Sequence, residues 1–199
     1  MLLNRVEKLL MNNPVRAGIQ RRVEARRLLE LGGSMAGGRA LEVGCGRGVG
    51  AALILELFKA DRVDAFDLDP DMIERAQARL AGYGDRVRLW TGDVSNIAAA
   101  DDAYDAVFDF GIIHHVPGWR EALVEIHRVL APGGRFYVEE IYRRLIDHRL
   151  MRRTLDHPEG DRFDHAQLGQ ALVDAGFRVR AERSWADVIG WYVADKPAS

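Results

Sequence analysis

The side chains best spaced to do chemistry are a series of acids and one histidine pair, strung behind a glycine-rich run. Glu42 stands two positions before Gly44 in Leu41-Glu42-Val43-Gly44-Cys45-Gly46-Arg47-Gly48-Val49-Gly50. Glycines in G-x-G-x-G let a backbone take positive φ and come close to a ligand, while the first amides of a following helix point outward unpaired. Asp67 follows Gly48 by 19 residues, the offset at which a dinucleotide-type fold places a carboxylate to accept from ribose hydroxyls. Asp93, Asp109 and Glu139 recur further on, and His114-His115 follows Asp109 closely. Histidine is the side chain whose ordinary pKa suits proton removal near neutrality. Such a set recognises hydroxyls, amines or cations and moves a proton. It is a poor phosphate cradle, which wants a bare helix N-terminus and usually G-x-G-x-x-G. A glycine turn also joins strands to helices for geometric reasons alone, and Asp67 in Asp67-Leu68-Asp69-Pro70-Asp71 reads equally as an acidic turn, so the elements around them must decide.

Those elements alternate. The apolar run at Leu41 is a buried strand, and the spacing from Ala51 to Phe58 is helical. Arg62 to Asp67 reads as a second strand, and Pro70 opens a helix to Leu80 with Asp69 as its N-cap. Val87 to Trp90 and Tyr104 to Phe110 are the third and fourth strands. A helix from Trp119 to Leu130 is stopped by Ala131-Pro132-Gly133-Gly134, and Arg135 to Glu140 is the fifth strand. Strands and helices at this pitch predict a parallel sheet covered on both faces, with ligands at the carboxyl ends of its strands. Asp67, Asp93, Asp109, His114 and Glu139 all fall at those ends. Phe163-Asp164-His165 opens a helix to Ala175 capped by Gly176, and two strands follow, Phe177 to Arg183 and Val188 to Ala194. Before all of this, residues 1–38 read as a cap of two amphipathic helices broken at Asn12-Asn13-Pro14, with Asn13 as the second N-cap. Its flank is basic: Arg5, Lys8, Arg16, Arg21, Arg22, Arg26, Arg27 and Arg39 face only Glu7, Glu24 and Glu30. That is either a solvated face or a surface for an acidic substrate or anionic layer.

The 199 residues suffice for one domain with a substantial core, expected over 39–199. Hydrophobic residues at 48% and charged residues at 29% are those of an ordinary globular protein. A net charge of −2 gives no global pull toward nucleic acid. Cys45, the single cysteine, excludes an internal disulfide and a cysteine-cluster metal site. No apolar run reaches the length of a membrane span and no signal-peptide core follows Met1, so no stable membrane insertion and a cytoplasmic location are expected.

In their order, Leu41 to Gly50, Asp67 to Met72, Gly92-Asp93, Tyr104-Asp105-Ala106-Val107 with Ile112-Ile113-His114-His115, and Arg128-Val129-Leu130-Ala131-Pro132-Gly133-Gly134 resemble the class I S-adenosylmethionine-dependent methyltransferases, in the small-molecule branch that includes the ubiquinone/menaquinone-biosynthesis type. The resemblance covers roughly residues 39 to 195, by motif order. It implies a Rossmann-like, doubly wound α/β sheet of seven strands, mostly parallel with the last antiparallel, under the N-terminal helical cap. It implies S-adenosylmethionine as cofactor, with Glu42 ahead of the turn, and with Gly44, Cys45, Gly46 and Gly48 around the methionine and ribose. Asp67 would hold the ribose hydroxyls, Leu68 would pack on adenine, Asp93 would accept from the adenine amino group beside the Val94 amide, and Asp109 and Phe110 would flank the methionine end. Cys45 is then a small buried turn residue. His114 is the first choice for a catalytic base and His115 the second, and no metal is implied. Asp69 replaces the commoner Ser of the pattern, and the first 40 residues hold no Tyr to partner a catalytic histidine.

Methyl transfer to oxygen, nitrogen or carbon of a small-molecule acceptor is the leading expectation. A nicotinamide-dependent oxidoreductase would also use the strand-end acids, although Asp93 and the Pro-Gly-Gly turn would then go unexplained. A non-catalytic cofactor-binding protein is the third reading. Trp119, Tyr142 and the cap leucines would line a pocket for an apolar acceptor, whereas the basic stretch from Tyr142 to Asp161, with Arg143, Arg144, His148, Arg149, Arg152 and Arg153, would form a lid for an anionic one. Oligomeric state is not legible.

Overall fold

The computed structural model describes residues 18, 20–146 and 162–198. The first expected cap helix, the Asn13 cap and the lid arginines beyond residue 146 lie outside the described residues. A π-helical turn, Gln20–Glu24, runs into α1 (Ala25–Gly32), followed by β1 (Arg39–Val43), α2 (Val49–Glu56), β2 (Arg62–Asp67), α3 (Pro70–Leu80), β3 (Val87–Thr91) and β4 (Tyr104–Phe110). Then come α4 (Trp119–Val129), β5 (Leu130–Ile141), the single turn α5 (Arg143–Ile146), α6 (His165–Asp174), β6 (Arg178–Trp185) and β7 (Ile189–Asp195). Several bounds have local causes. Asp69 caps α3 by accepting from the Asp71 amide with Pro70 at the first helical position, where a missing N–H costs nothing. Asp164 and Gln167 close a reciprocal capping box on α6.

One seven-stranded sheet has the order β3-β2-β1-β4-β5-β7-β6. β1 is parallel to β2 and β4, β2 to β3, and β4 to β5, while β7 is antiparallel to both β5 and β6. The tight turn Trp185–Val188 permits that reversal. Because the chain moves outward from β1 through β2 and β3 and then returns to β4, the sheet has a switch point between β1 and β4. A cleft opens there at the carboxyl ends.

Alternation along each strand sorts side chains to two faces. Leu41, Val43, Val107, Phe136 and Val138 join α4 and α6 in one core cluster. Ala40, Ala106, Phe108 and Tyr137 join α1, α2 and α3 in the other. There Phe108 stacks on Tyr137 at 4.5 Å and meets Phe58 edge-on at 4.7 Å, pairs each contributing about 0.5–1.5 kcal/mol beyond burial. The same parity puts Glu42 beneath α2 and splits two neighbours on β5, Glu139 toward α1 and Glu140 toward α4.

Two expectations need correction. α4 ends at Val129, and Leu130 already pairs with Tyr104 before the register jumps to Ala106 with Arg135. The Pro-Gly-Gly turn is therefore a bulge inside β5, not a loop ahead of it, and Pro132 has no N–H for the ladder. Gly133 and Gly134 exchange hydrogen bonds with Lys196 instead. Arg39, counted among the basic residues of the cap, belongs to β1, where it pairs with buried Asp64 at 2.5 Å.

Candidate active site

β1 carries Glu42 to the foot of the glycine turn and buries it at 2% exposure. Burial pushes its carboxyl well above the ordinary range, the Ala51 amide donates against that shift, and nearby Asp67 and Asp109 add to it. Its Oε2 is buried with no hydrogen-bond partner among the described residues. A Cβ at Gly50 would stand 1.8 Å from Oε1, so a glycine is what lets this acid lie under the helix. Gly44, at φ +67°, has the same constraint from the other side, since a Cβ there would meet Ile112 at 2.6 Å. The Cys45 amide donates to Phe66 O at 2.9 Å, and burial pushes its thiol up, away from nucleophilic chemistry. The Gly46 amide donates to Asp67 Oδ2 at 2.8 Å and the Asp69 amide to Oδ1 at 2.9 Å. Gly48, left-handed, opens α2.

In front of this turn lies a cavity of about 410 Å³. Gly44, Phe66, Asp67 and Leu68 form one wall, Gly92, Asp93, Val94 and Ser95 the second, and Ile112, His115, Val116 and Pro117 the third. Leu68 is 42% exposed and lines the cavity. Asp93 is held by the Ser95 amide, which donates to its Oδ1 at 2.8 Å, and by a bridge to Asn96. Among the described residues the lining thus offers two carboxylates flanking a strip of apolar surface, and no lysine or arginine.

Beneath the third wall is a buried acid–imidazole cluster that joins β4, β5 and the single turn Ile113–His115. Glu140 Oε2 shares a hydrogen bond with His114 Nδ1 at 2.5 Å, and Oε1 accepts from the Ile113 amide at 2.6 Å and the His114 amide at 3.3 Å. Asp109 Oδ1 accepts from the Ile112 amide at 2.9 Å. Burial, and then Glu140 beside it, push the Asp109 carboxyl well above its ordinary range. Burial also pushes Glu140 up, to about 7, against the hydrogen bonds it receives from Asp109 and three amides. Two adjacent buried carboxyls do not both ionise, so Asp109 keeps its proton, and Glu140 becomes the anion as pH rises through about 7. An ionised Glu140 favours the Nδ1–H tautomer of His114.

A family model described as a methyltransferase domain matches residues 40–134. The chain belongs to the class I S-adenosylmethionine-dependent methyltransferases. It is similar to a probable S-adenosylmethionine-dependent methyltransferase of Mycolicibacterium smegmatis, 34% identical over 72% of this chain and 53% of the relative. A fatty-acid O-methyltransferase of the same organism is 31% identical over 74% of this chain and 47% of its own length. The chain therefore spans about half the length of the curated relatives it matches. An S-adenosylmethionine-dependent methyltransferase of Aquifex aeolicus superposes with a TM-score of 0.74, covering 97% of this chain and 98% of that one at 18% identity, which establishes the shared fold. The cofactor of this family is S-adenosylmethionine.

In this chain the structure gathers Gly44, Asp67, Leu68, Asp93 and Val94 at one cavity, with Cys45, Gly46 and Gly48 in the turn and Glu42, Asp109 and Phe110 buried behind it. His115 stands in the cavity wall, and His114, at 9% exposure, lies behind it with ring centroids 4.1 Å apart. Three expected residues are elsewhere. Glu139 faces the other side of β5 and accepts from Trp191 Nε1 at 2.9 Å. Trp119 and Tyr142, expected to line a pocket, are in the core at 1% and 0% exposure and pack on Phe163. Glu140, which orients His114, is not singled out by sequence reasoning. Its only signal there is a second acid directly after Glu139 in an apolar strand, where period-2 parity requires the two to serve opposite faces.

Proposed function

We propose that this chain is an enzyme that moves the methyl group of S-adenosylmethionine to a small-molecule acceptor by in-line displacement. The observation that carries the reading is the cavity itself: carboxylates Asp67 and Asp93 on two neighbouring strand ends, apolar Leu68 and Val94 between them, and His115 opposite. The cofactor fits this donor set. Its hydroxyls and amines are donors that need acceptors, its sulfonium is a cation, and the buried, unpartnered Oε2 of Glu42 lies behind the turn. In this reading Asp67 accepts from the ribose hydroxyls, Leu68 and Val94 sandwich the adenine, and Asp93 accepts from its amino group. Glu42, Asp109, Phe110 and the turn Gly44 to Gly48 enclose the methionine end. The described part of the expected 1–38 cap, residues 20–38, serves to cover the 39–199 unit. Support for that comes from α1, whose Ala25 and Leu28 are buried and whose Gly32 carbonyl accepts from Arg135.

Bound there, the cofactor supplies a methyl group already activated on sulfur. The chain needs only to align the acceptor, exclude water and take a proton. His115, in the wall, is placed to accept that proton, and the Glu140-oriented His114 stacks behind it to hold its ring or to relay. Ile112, Val116 and Pro117 give the acceptor side an apolar lining, which suits a small apolar acceptor with one ionisable group. The fatty-acid and sterol methyltransferases among its relatives support that class. Arg143, the nearest described part of the basic stretch, is engaged by Asp164 at 2.5 Å. Among the described residues no helix is long and apolar enough to cross a membrane.

Calorimetry with S-adenosylhomocysteine and with NAD tests the reading. Binding of the first is expected, and binding of NAD alone rejects it. His115→Ala should lower turnover by about 10²-fold with little change in S-adenosylhomocysteine affinity. If His114→Ala alone has that effect, the base is His114, and full activity in both variants returns both rings to a structural role.

A further inference from the structure

The segment between β3 and β4, residues 92–103, has no helix or strand of its own beyond the Asp93–Asn96 bridge, yet its first four residues make the second cavity wall. Among its anchors, one side chain on α4 makes the most bonds to it. Arg128 Nη1 donates to Ala99 O at 2.9 Å and to Asp101 Oδ1 at 2.7 Å, and Nη2 donates to Ile97 O at 3.0 Å. Its Nε and Nη2 also form a two-pronged pair with Glu125 one turn back, at 2.8 and 2.9 Å. A guanidinium has five N–H donors in a fixed plane, and these five bonds use all of them. Glu125 completes the junction from the acceptor side, because its Oε2 also takes the Ile97 amide at 3.0 Å. The Arg128 carbonyl accepts from the Asp102 amide at 3.0 Å. Ile97 itself is buried in the core at 3% exposure.

We propose that Arg128, with Glu125, is a positioning pair for the cofactor site: it sets the Asp93–Val94 wall from a helix that does not touch the cavity. The loop carries part-buried backbone carbonyls at 97 and 99 that must find partners inside the fold, and the exposed Asp101 carboxylate adds a third anchor. A planar fork that binds two carbonyls and two carboxylates at once fixes their relative positions, as a flexible ammonium would not. Asp93 and Val94 lie only a few residues upstream and are tied to the clamped part by the bridge to Asn96 and by buried Ile97, so the clamp transmits to them over a short, bonded path. The inference rests on the cofactor reading of that wall.

The test measures S-adenosylhomocysteine and adenosine affinity by calorimetry, KM for S-adenosylmethionine and kcat for the full chain and for Arg128→Lys, Arg128→Ala and Glu125→Gln. Amide hydrogen exchange is followed at residues 93–97. Arg128→Lys should weaken both ligands by on the order of tenfold and raise KM by the same factor with kcat within about twofold. Exchange should quicken at 93–97 while β1 and β4 stay protected. Glu125→Gln should act in the same direction, and a double variant should add little to either single one. Unchanged ligand affinity in folded Arg128→Lys and Glu125→Gln overturns the proposal. So does a loss confined to global stability, with exchange rising everywhere at once. If the unaltered chain binds neither ligand, the cofactor reading has failed, and local exchange in the variants still reports whether the clamp orders the loop.

Discussion

Replacing Gly50 by Ala should destabilise the protein although it places a better helix former in a helix. Ala is favoured over Gly by at most about 1 kcal/mol. Against it, a Cβ at position 50 would lie 1.8 Å from Glu42 Oε1, 2.7 Å from Glu42 Cδ and 2.8 Å from Phe110 Cδ2. Glu42 is buried against the sheet and cannot swing to water without leaving its site. Overpacking of this kind costs about 1–3 kcal/mol, and displacing the carboxyl from the Ala51 amide costs about another 1–3 kcal/mol. The net loss should be roughly 2–4 kcal/mol, or about 5–15 °C in Tm for a chain of this size. Urea unfolding of Gly50→Ala and of Gly50→Ala in a Glu42→Ala background gives the decisive comparison. With the carboxyl gone, only the Phe110 ring edge remains to be moved, and the substitution should become near neutral. S-adenosylhomocysteine affinity should fall in both single variants, since each disturbs the methionine end. Equal losses in the two backgrounds, or a Gly50→Ala protein as stable as its parent, would refute the account of Glu42 under α2.

Glu140→Gln tests the buried acid cluster through pH. Glu140 titrates near 7 in the fold and near the ordinary 4.3 when unfolded, so between those values the folded state binds more protons and this group's contribution to stability falls as pH rises. The stability of the parent minus that of Glu140→Gln should therefore decline by a few kcal/mol from about pH 4.5 to 7 and then level off; a flat difference rejects the shift. His127 runs the other way, because burial and then Lys196 lower its pKa. Its contribution is complete above the unfolded value near 6.5 and is lost as pH falls below it, so His127→Phe should flatten the acid limb of the stability profile. Leu68→Ala should leave Tm within about 1 °C, the side chain being already 42% exposed, yet weaken S-adenosylhomocysteine by about tenfold through lost contact with adenine. An unchanged affinity would remove Leu68 from the site.

Features whose cause is local are legible in the letters themselves. Asp69-Pro70 starts α3 because a short acceptor precedes a residue without an N–H, and both facts are written side by side. Asp67 is legible for the same reason. Its partners, the Gly46 and Asp69 amides, sit in the turn and strand end that motif spacing brings together. Facing is harder. A strand tells that Glu139 and Glu140 point to opposite sides, but which side holds His114 depends on β4 lying beside β5 and on the turn at Ile113, so spacing alone selects Glu139 where the fold uses Glu140. The bulge in β5 hides behind a Pro-Gly-Gly signal that is equally good for a loop, because its deciding bonds come from Lys196, more than 60 residues away. Trp119 and Tyr142 mislead because an aromatic near a site reads the same whether it faces a ligand or Phe163. Arg128 shows the limit most clearly: as a letter before Val129-Leu130 it marks a motif, and only the fold shows that three of its five donors end on a loop about thirty residues earlier. Placement at a strand end can be read from spacing, whereas the group that holds the spacing in place is chosen by tertiary contact.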